Sequence, residues 1–361
     1  MGISVWRKMI CVAMLTCLTT LTADAATKKD ASNKQTDKQN VESANLLQPP
    51  SFGGQPVEVA VALYVTDFVA IDETKETFEV SGYLTARWKD LRLALPVSAT
   101  DQKKRVYRLG EIWAPSIEST NTISHKSMQY WLTSDKDGLV NYVERFDSIV
   151  SNNFDFRRFP FDTQLLRLEF HTFYTSEEDV RFAPQALPST GISRDRDTEL
   201  SGWTSGEMKY TVDRVRGGLN LPSTNEAVFQ ITMKRRSGFY IWKFLVPLVM
   251  LALIPSVAFW IDVELFDWTL KIPMTMMLSM VAFEFTIARD LPRIGYVSFL
   301  DAVFLASFTL CFLCIFEILG VFLLQNHGKR ALAMKLHGVG RWAYPLIYLI
   351  VISLLALGFL A

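Results

Sequence analysis

The amino-acid sequence predicts an all-β, immunoglobulin-like sandwich outside the cytoplasm, followed by a bundle of four transmembrane helices. Three observations predict it: an export signal opens the chain, alternation of apolar and polar residues fills its middle, and four long apolar segments fill its last third. The 361 residues are 50% hydrophobic and 20% charged. That average joins unlike halves, because residues 26–237 hold most of the charge and residues 238–361 are dominated by Leu, Phe, Ile, Val, Met and Ala. The net charge of zero argues against a nucleic-acid partner, which calls for a basic excess or stripe.

Residues 1–25 read as a signal peptide. Arg7 and Lys8 precede an apolar run from Met9 to about Thr22, and Ala23-Asp24-Ala25 is a small-x-small cleavage site. The run is short for a membrane span, and a retained anchor is the alternative reading. Residues 26–50, rich in Lys, Asn, Gln, Asp, Ser and Thr and ending in Pro49-Pro50, read as a disordered leader with little to bury. Cys11 and Cys17 leave with the signal, so the exported domain folds without a disulfide. Cys311 and Cys314 lie one helical turn apart in an apolar segment with no further ligand at suitable spacing, which assigns them to packing.

Residues 51–237 read as the sandwich. Runs such as Val57-Glu58-Val59-Ala60-Val61 and Phe78 to Ala86 alternate with period two and are broken by Asp, Gly, Asn or Pro roughly every ten residues. That pattern predicts successive antiparallel strands packed as a sandwich.

Residues 238–361 read as the membrane domain, with helices at about 239–260, 268–288, 299–324 and 342–360. Each is long enough to cross a hydrocarbon core of ~30 Å. Pro247 and Pro255 interrupt the first, which neighbouring helices can tolerate. Lys329, Arg330, Lys335 and Arg341 mark the loop at about 325–340 as cytoplasmic. The expected placement is a multi-pass protein of the cell (inner) membrane, in contact with the lipid bilayer, with its N-terminal domain outside. The second segment is the least lipid-like, holding Lys271, Thr275, Ser279, Glu284 and Thr286. Polar groups in hydrocarbon face protein or water, so this helix is expected to line an aqueous path. Helical spacing places Asp267, Lys271, Thr275, Leu278, Ala282, Phe285 and Arg289 on one face.

Catalytic signatures are missing: there is no nucleophile elbow and no phosphate loop, and His125, His171, His327 and His337 lack metal-ligand spacing. No enzyme activity, cofactor or metal is expected. An enzyme with a membrane anchor is the distant alternative.

One stretch is more specific. Asn153-Phe154-Asp155-Phe156-Arg157-Arg158-Phe159-Pro160-Phe161-Asp162-Thr163-Gln164 resembles the signature loop of the Cys-loop receptor superfamily, the pentameric ligand-gated ion channels. Trp88-Lys89-Asp90 is similar to that family's W-x-D strand and Ile112-Trp113-Ala114-Pro115 to its I-W-x-P turn. Lys234-Arg235-Arg236 resembles its basic entry to the first membrane helix, and Leu291-Pro292-Arg293-Ile294-Gly295-Tyr296, with Leu300-Asp301, its loop between the second and third helices. Asn152 and Leu166 stand where animal receptors have bridging cysteines, and the loop before the last helix is short; both departures resemble prokaryotic members.

The resemblance implies a homopentamer in which an unidentified small-molecule agonist, bound between subunits, opens a pore for inorganic ions. The seven residues of the second-helix stripe would become rings, with Leu278 and Phe285 as apolar constrictions; packing between helices is their plainer role. The ligand site would draw on Tyr83 from one face and Trp113, Glu118, Phe173 and Tyr174 on or near the other, and Trp113 is equally a core residue. The capping hairpin, about Val212–Val228, has no aromatic residue, and offers Arg214 and Arg216 beside Asp213, Asn220 and Asn225. Aromatic faces suit a cationic ligand; the arginines suit a carboxylate. Coupling of sandwich to bundle would use Asp72, Glu73, Asp155, Phe159, Pro160, Phe161, Asp162, Arg235, Pro292 and Arg293. Asp267, with Asp262 and Glu264 near the same mouth, favours cations, and Lys271 opposes them. Pro273 suggests a helix starting late enough to leave Lys271 in a loop; an earlier start would let Asp267 and Lys271 pair. The expectation is a cation channel, with an anion channel or a non-conducting membrane sensor as the alternatives.

Overall fold

A computed structural model of the chain describes residues 45–50, 54–94, 104–173, 178–193, 200–215, 223–288 and 294–360. The signal peptide and residues 26–44 lie outside the described residues, as do Tyr174, Arg216, Asn220, Arg289, Pro292 and Arg293.

Alternating burial builds the sandwich. In β1 (Val57–Asp72), Val57, Val59, Val61, Leu63 and Val65 are buried, and then the parity changes to Phe68. A register shift between Val65 and Asp67 causes that change, and a second follows between Phe68 and Ala70. A bulge inserts an extra residue and turns the following side chains to the other face, so one strand of 16 residues reads in sequence as shorter runs. β2 (Thr77–Lys89) pairs with it and buries Phe78, Val80, Leu84, Ala86 and Trp88.

The remaining strands are β3 (Lys104–Tyr107), β4 (Ile117–Ser119), β5 (Thr122–Asp135), β6 (Leu139–Ser151), β7 (Thr163–Thr172), β8 (Val180–Phe182), β9 (Gly191–Ile192), β10 (Trp203–Val215) and β11 (Thr224–Arg235). One sheet runs β3-β5-β6-β2-β1-β8, with β9 also on β1; the other runs β10-β11-β7-β4. Pairing is antiparallel as expected, except that β8 and β9 join β1 in parallel. Leu166, Leu168 and Phe170 of β7 and Ala227, Phe229, Ile231 and Met233 of β11 complete the core. Full burial of each large apolar side chain contributes on the order of 1.5–3 kcal/mol.

The last residues read as leader are ordered. Trp113 N–H donates to Leu46 O at 2.7 Å, Arg92 reaches the carbonyls of Asn45 and Gln48, and Leu46 packs on the core. Leu46 and these backbone bonds dock the segment on the sandwich.

Four apolar helices follow: α1 (Gly238–Trp260), α2 (Phe266–Ile287), α3 (Phe299–Asn326) and α4 (Arg330–Leu360). The prolines of α1 divide it into a π stretch at Ile241–Leu245, an α stretch at Val246–Leu253 and a 3-10 stretch at Ile254–Trp260. Ser298 and Asp301 cap α3 reciprocally. At its far end Gly328 N–H donates to Gln325 O and Lys329 N–H to Leu324 O, a Schellman stop that needs the positive φ of 77° at Gly328. The turn is therefore short, and α4 begins at Arg330 rather than near residue 342. Buried Cys311 and Cys314 point their thiols at the carbonyls of Pro273 and Pro255.

Candidate functional site

Three places collect the residues singled out in sequence: the junction of sandwich and bundle, the free face of α2, and the two sides of the sandwich.

At the junction, the loop between β6 and β7 sits on the helices. Phe159 and Pro160 are buried, and the Phe159 ring meets Tyr240 of α1 edge-on at 4.8 Å. Phe161 meets Phe299 at the start of α3 at 5.8 Å. Tyr296 OH accepts from Phe156 N–H at 2.9 Å, and Arg157 O accepts from Phe299 N–H at 2.8 Å. Within the loop, Gln164 is bonded both ways to the Asp155 backbone and donates to Asp162. Asn152 Oδ1 accepts from Arg167 N–H at 3.1 Å beside the core residue Leu166, a non-covalent tie where the resemblance places a disulfide.

Arg235, the last residue of β11, is 3% exposed. Its guanidinium grips Asp162 with two bonds of 2.6 and 3.0 Å, and also donates to Glu73 on the β1–β2 turn and to Tyr240 OH at 3.2 Å. It lies over the rings of Trp203, Phe159 and Tyr240. Burial opposes its charge, but Asp162 and Glu73 outweigh that and hold it above the ordinary arginine range. Burial pushes the Glu73 carboxyl up despite Arg235. A two-bonded, fully partnered arginine is the arrangement in which a buried ion pair avoids an uncompensated charge.

The structure thus brings together Glu73, Phe159, Pro160, Phe161, Asp162 and Arg235. Asp72 instead pairs with Lys75 at 2.8 Å, and Asp155 is exposed and pairs with Arg157 at 3.5 Å. An acid at the surface finds the nearest local cation rather than a buried partner. Sequence reasoning missed Trp203, Tyr240 and Gln164. Gln164 closes the signature-loop motif, and Trp203 pairs in register with Arg235.

On α2, Thr269, Pro273, Met280 and Ile287 are buried, whereas Asp267, Lys271, Thr275, Leu278, Ala282 and Phe285 are exposed. Each exposed residue stands two positions from a buried one, about 200° around the helix. The predicted stripe is thus the face turned away from the other helices, with Leu278 72% and Phe285 69% exposed. The helix is continuous from Phe266 with Pro273 inside it, which corrects the expectation of a loop at Lys271. Among the described residues Asp267 and Lys271 form no ion pair; the Lys271 ammonium lies 5.2 Å from the Trp268 ring centre.

In the sandwich, Trp113 is buried edge-on to Trp88 at 5.8 Å and serves the core. Tyr83 is half-buried on β2, between Tyr64 and Arg145 in register. Glu118 and Glu226 flank His171 across β4, β7 and β11, and Phe173 follows with its ring 6.0 Å from that histidine. Arg214 stands opposite Asn225 on the β10–β11 hairpin. Tyr83 lies on β2 in one sheet, and Phe173 directly follows β7 of the other. Missed in sequence was Glu226, which accepts from Thr120 at 2.8 Å and whose carboxyl burial pushes up.

The family model for the neurotransmitter-gated ion-channel ligand binding domain matches residues 37–237, beginning inside the stretch read as leader. The chain is 24% identical over 315 residues to the proton-gated ion channel of Gloeobacter violaceus, covering 86% of each. It is 26% identical over 308 residues to the glycine receptor subunit beta of Homo sapiens, covering 79% of this chain and 59% of that one. With the gamma-aminobutyric acid receptor subunit rho-2 of Bos taurus it shares 25% over 289 residues, covering 78% and 61% respectively.

Proposed function

Because this chain belongs to the family of neurotransmitter-gated ion channels, with an extracellular ligand-binding domain and four membrane-spanning helices, we propose that five copies form a ring around a cation-conducting pore. A ligand bound between adjacent sandwiches opens it. The observation that carries this reading is the free stripe of α2: a helix that buries Thr269, Pro273, Met280 and Ile287 within its own chain leaves exposed a face that is polar at Asp267, Lys271 and Thr275 and apolar at Leu278, Ala282 and Phe285 for a shared axis. Repetition around the axis makes Leu278 and Phe285 apolar constrictions that close by dewetting. Interfaces between copies are heterologous. The exposed apolar side chains Ile123, Met128, Tyr130 and Trp131 on β5 support such a contact.

The ligand pocket takes Phe173, Glu118 and Arg214 from one copy and Tyr83 from the next, and Tyr174 and Arg216 extend the first set. Arg235, with Asp162 and Glu73, carries the opening signal to α1, and the 156–161 loop carries it to α3. Asp267 at the inner mouth favours cations, and the Lys271 ammonium lies 5.2 Å from the ring centre of Trp268. Protons are a second reading of the ligand, supported by the buried Glu226 beside Glu169 and His171 and by the name of the Gloeobacter relative.

Current recording from the full chain tests the gate. Leu278→Ser wets the constriction, and the expected result is current at rest or a lower agonist threshold; steps of pH in the same recording separate proton from small-molecule activation. Unchanged resting current and threshold in a well-expressed Leu278→Ser removes Leu278 from the gate.

A further inference from the structure

We propose that Glu317 of α3 and His337 of α4 form a proton-binding site inside the bundle, whose proton holds α4 against its neighbours. Neither residue belongs to the pore stripe, the junction or the ligand pocket. His337 is 4% exposed, its Nδ1 lies 3.8 Å from Glu317 Oε1, and neither Nδ1 nor either carboxylate oxygen has a hydrogen-bond partner among the described residues.

The other ring nitrogen settles where protons can be. His337 Nε2 lies 3.3 Å from the carbonyl oxygen of Ile261. A carbonyl only accepts, so Nε2 carries a hydrogen. In a neutral ring Nδ1 is then a lone pair, and it faces a carboxylate that also only accepts. Two acceptors turned to each other in a buried place repel, and a buried carboxylate without a donor is costly. One additional proton, on the carboxyl or on Nδ1, converts that repulsion into an attraction across the 3.8 Å gap.

The surroundings leave that proton without a substitute. Arg341, one turn further along α4, gives its guanidinium to Phe259 O at 3.2 and 3.3 Å and lies over Trp260. Cys314, one turn earlier on α3, directs its thiol to Pro255 O. The end of α1 contributes the ring of Phe259, 5.5 Å from the imidazole, and the Ile261 carbonyl. Glu264 is paired with Arg330 at the inner surface. The rise of a helix puts Glu317 about 14 Å and His337 about 10 Å from the inner ends of their helices, so the proton exchanges with the inner side of the membrane. Its loss as the pH rises leaves Glu317 and His337 repelling across the α3–α4 contact and loosens α4.

The test is thermal unfolding of the full chain in lipid nanodiscs across pH, for wild type and Glu317→Gln. A glutamine amide donates to a neutral Nδ1 with no additional proton. The expected result is that wild type loses melting temperature from mildly acid to mildly alkaline pH, and that Glu317→Gln loses much of this shift. Equal shifts in the two proteins overturn the proposal. If the variant does not fold, 15N spectra of histidine-labelled wild type decide, with His337 assigned by replacing His125, His171 and His327. Nδ1 protonated or hydrogen-bonded at neutral pH supports the site, and a bare lone pair overturns it.

Discussion

Arg235 is the residue on which the junction turns. Its guanidinium is shared by Asp162 on one loop and Glu73 on another, and lies over the rings of Trp203, Phe159 and Tyr240. Removing it strands the buried Asp162 and the part-buried Glu73, and breaking a buried pair in this way costs about 3–5 kcal/mol. Lysine keeps the charge but not the two-pronged grip. Arg235→Lys is therefore expected to assemble yet give less ligand-evoked current per channel at the surface, measured by current against surface labelling; equal current per channel contradicts the coupling role. At this scale the sequence was legible where chemistry is contiguous. Phe159, Pro160, Phe161 and Asp162 stand in one run, and Arg235 stands in the basic motif before the first helix. It was illegible where partners meet through register: nothing local ties Trp203 to Arg235, or selects Glu73 over Asp72 as the buried acid. The Glu317–His337 contact joins helices that no motif linked.

Elements departed from expectation wherever a local rule was overruled by packing. The fourth helix starts at Arg330, because an apolar window finds only the part of a helix that lies in lipid, while Ala, Leu, Met and Lys continue a helix into water equally well. Pro273 does not start α2; its missing N–H frees the Thr269 carbonyl one turn back, which a bundle tolerates inside a helix. Bulges divided β1 into shorter apparent runs. The α1–α4 contact is equally specific. A Cβ on Gly340 would come within 2.7 Å of the Phe259 ring, so helix and ring touch only because Gly340 has no side chain. Gly340→Val is expected to push α4 outward and destabilise by about 1–3 kcal/mol, the usual range for overpacking. Thermal unfolding in detergent checks it; an unchanged melting temperature shows that the contact gives way freely.

The whole molecule follows from opposite solvents at its two ends. The sandwich was legible from period two and the bundle from four apolar lengths, since both are summed over many residues and tolerate local error. The proposed ligand pocket was less legible, because the residues assigned to it lie on or beside different sheets of one chain and, in the proposed ring, meet only between copies. In the proposed ring, ion selectivity would rest on a single helical turn, where Asp267 and Lys271 share the exposed face and the Lys271 ammonium lies by Trp268. The most direct measurement of the central claim is the reversal potential of purified protein in planar bilayers under a salt gradient, for wild type, Asp267→Ala and Lys271→Ala. A cation-conducting ring predicts ligand- or pH-evoked current that reverses near the cation potential, weakened in selectivity by Asp267→Ala and sharpened by Lys271→Ala. Reversal at the chloride potential, shifting only in Lys271→Ala, contradicts cation conduction, and the lack of any current from correctly assembled pentamers contradicts the channel itself.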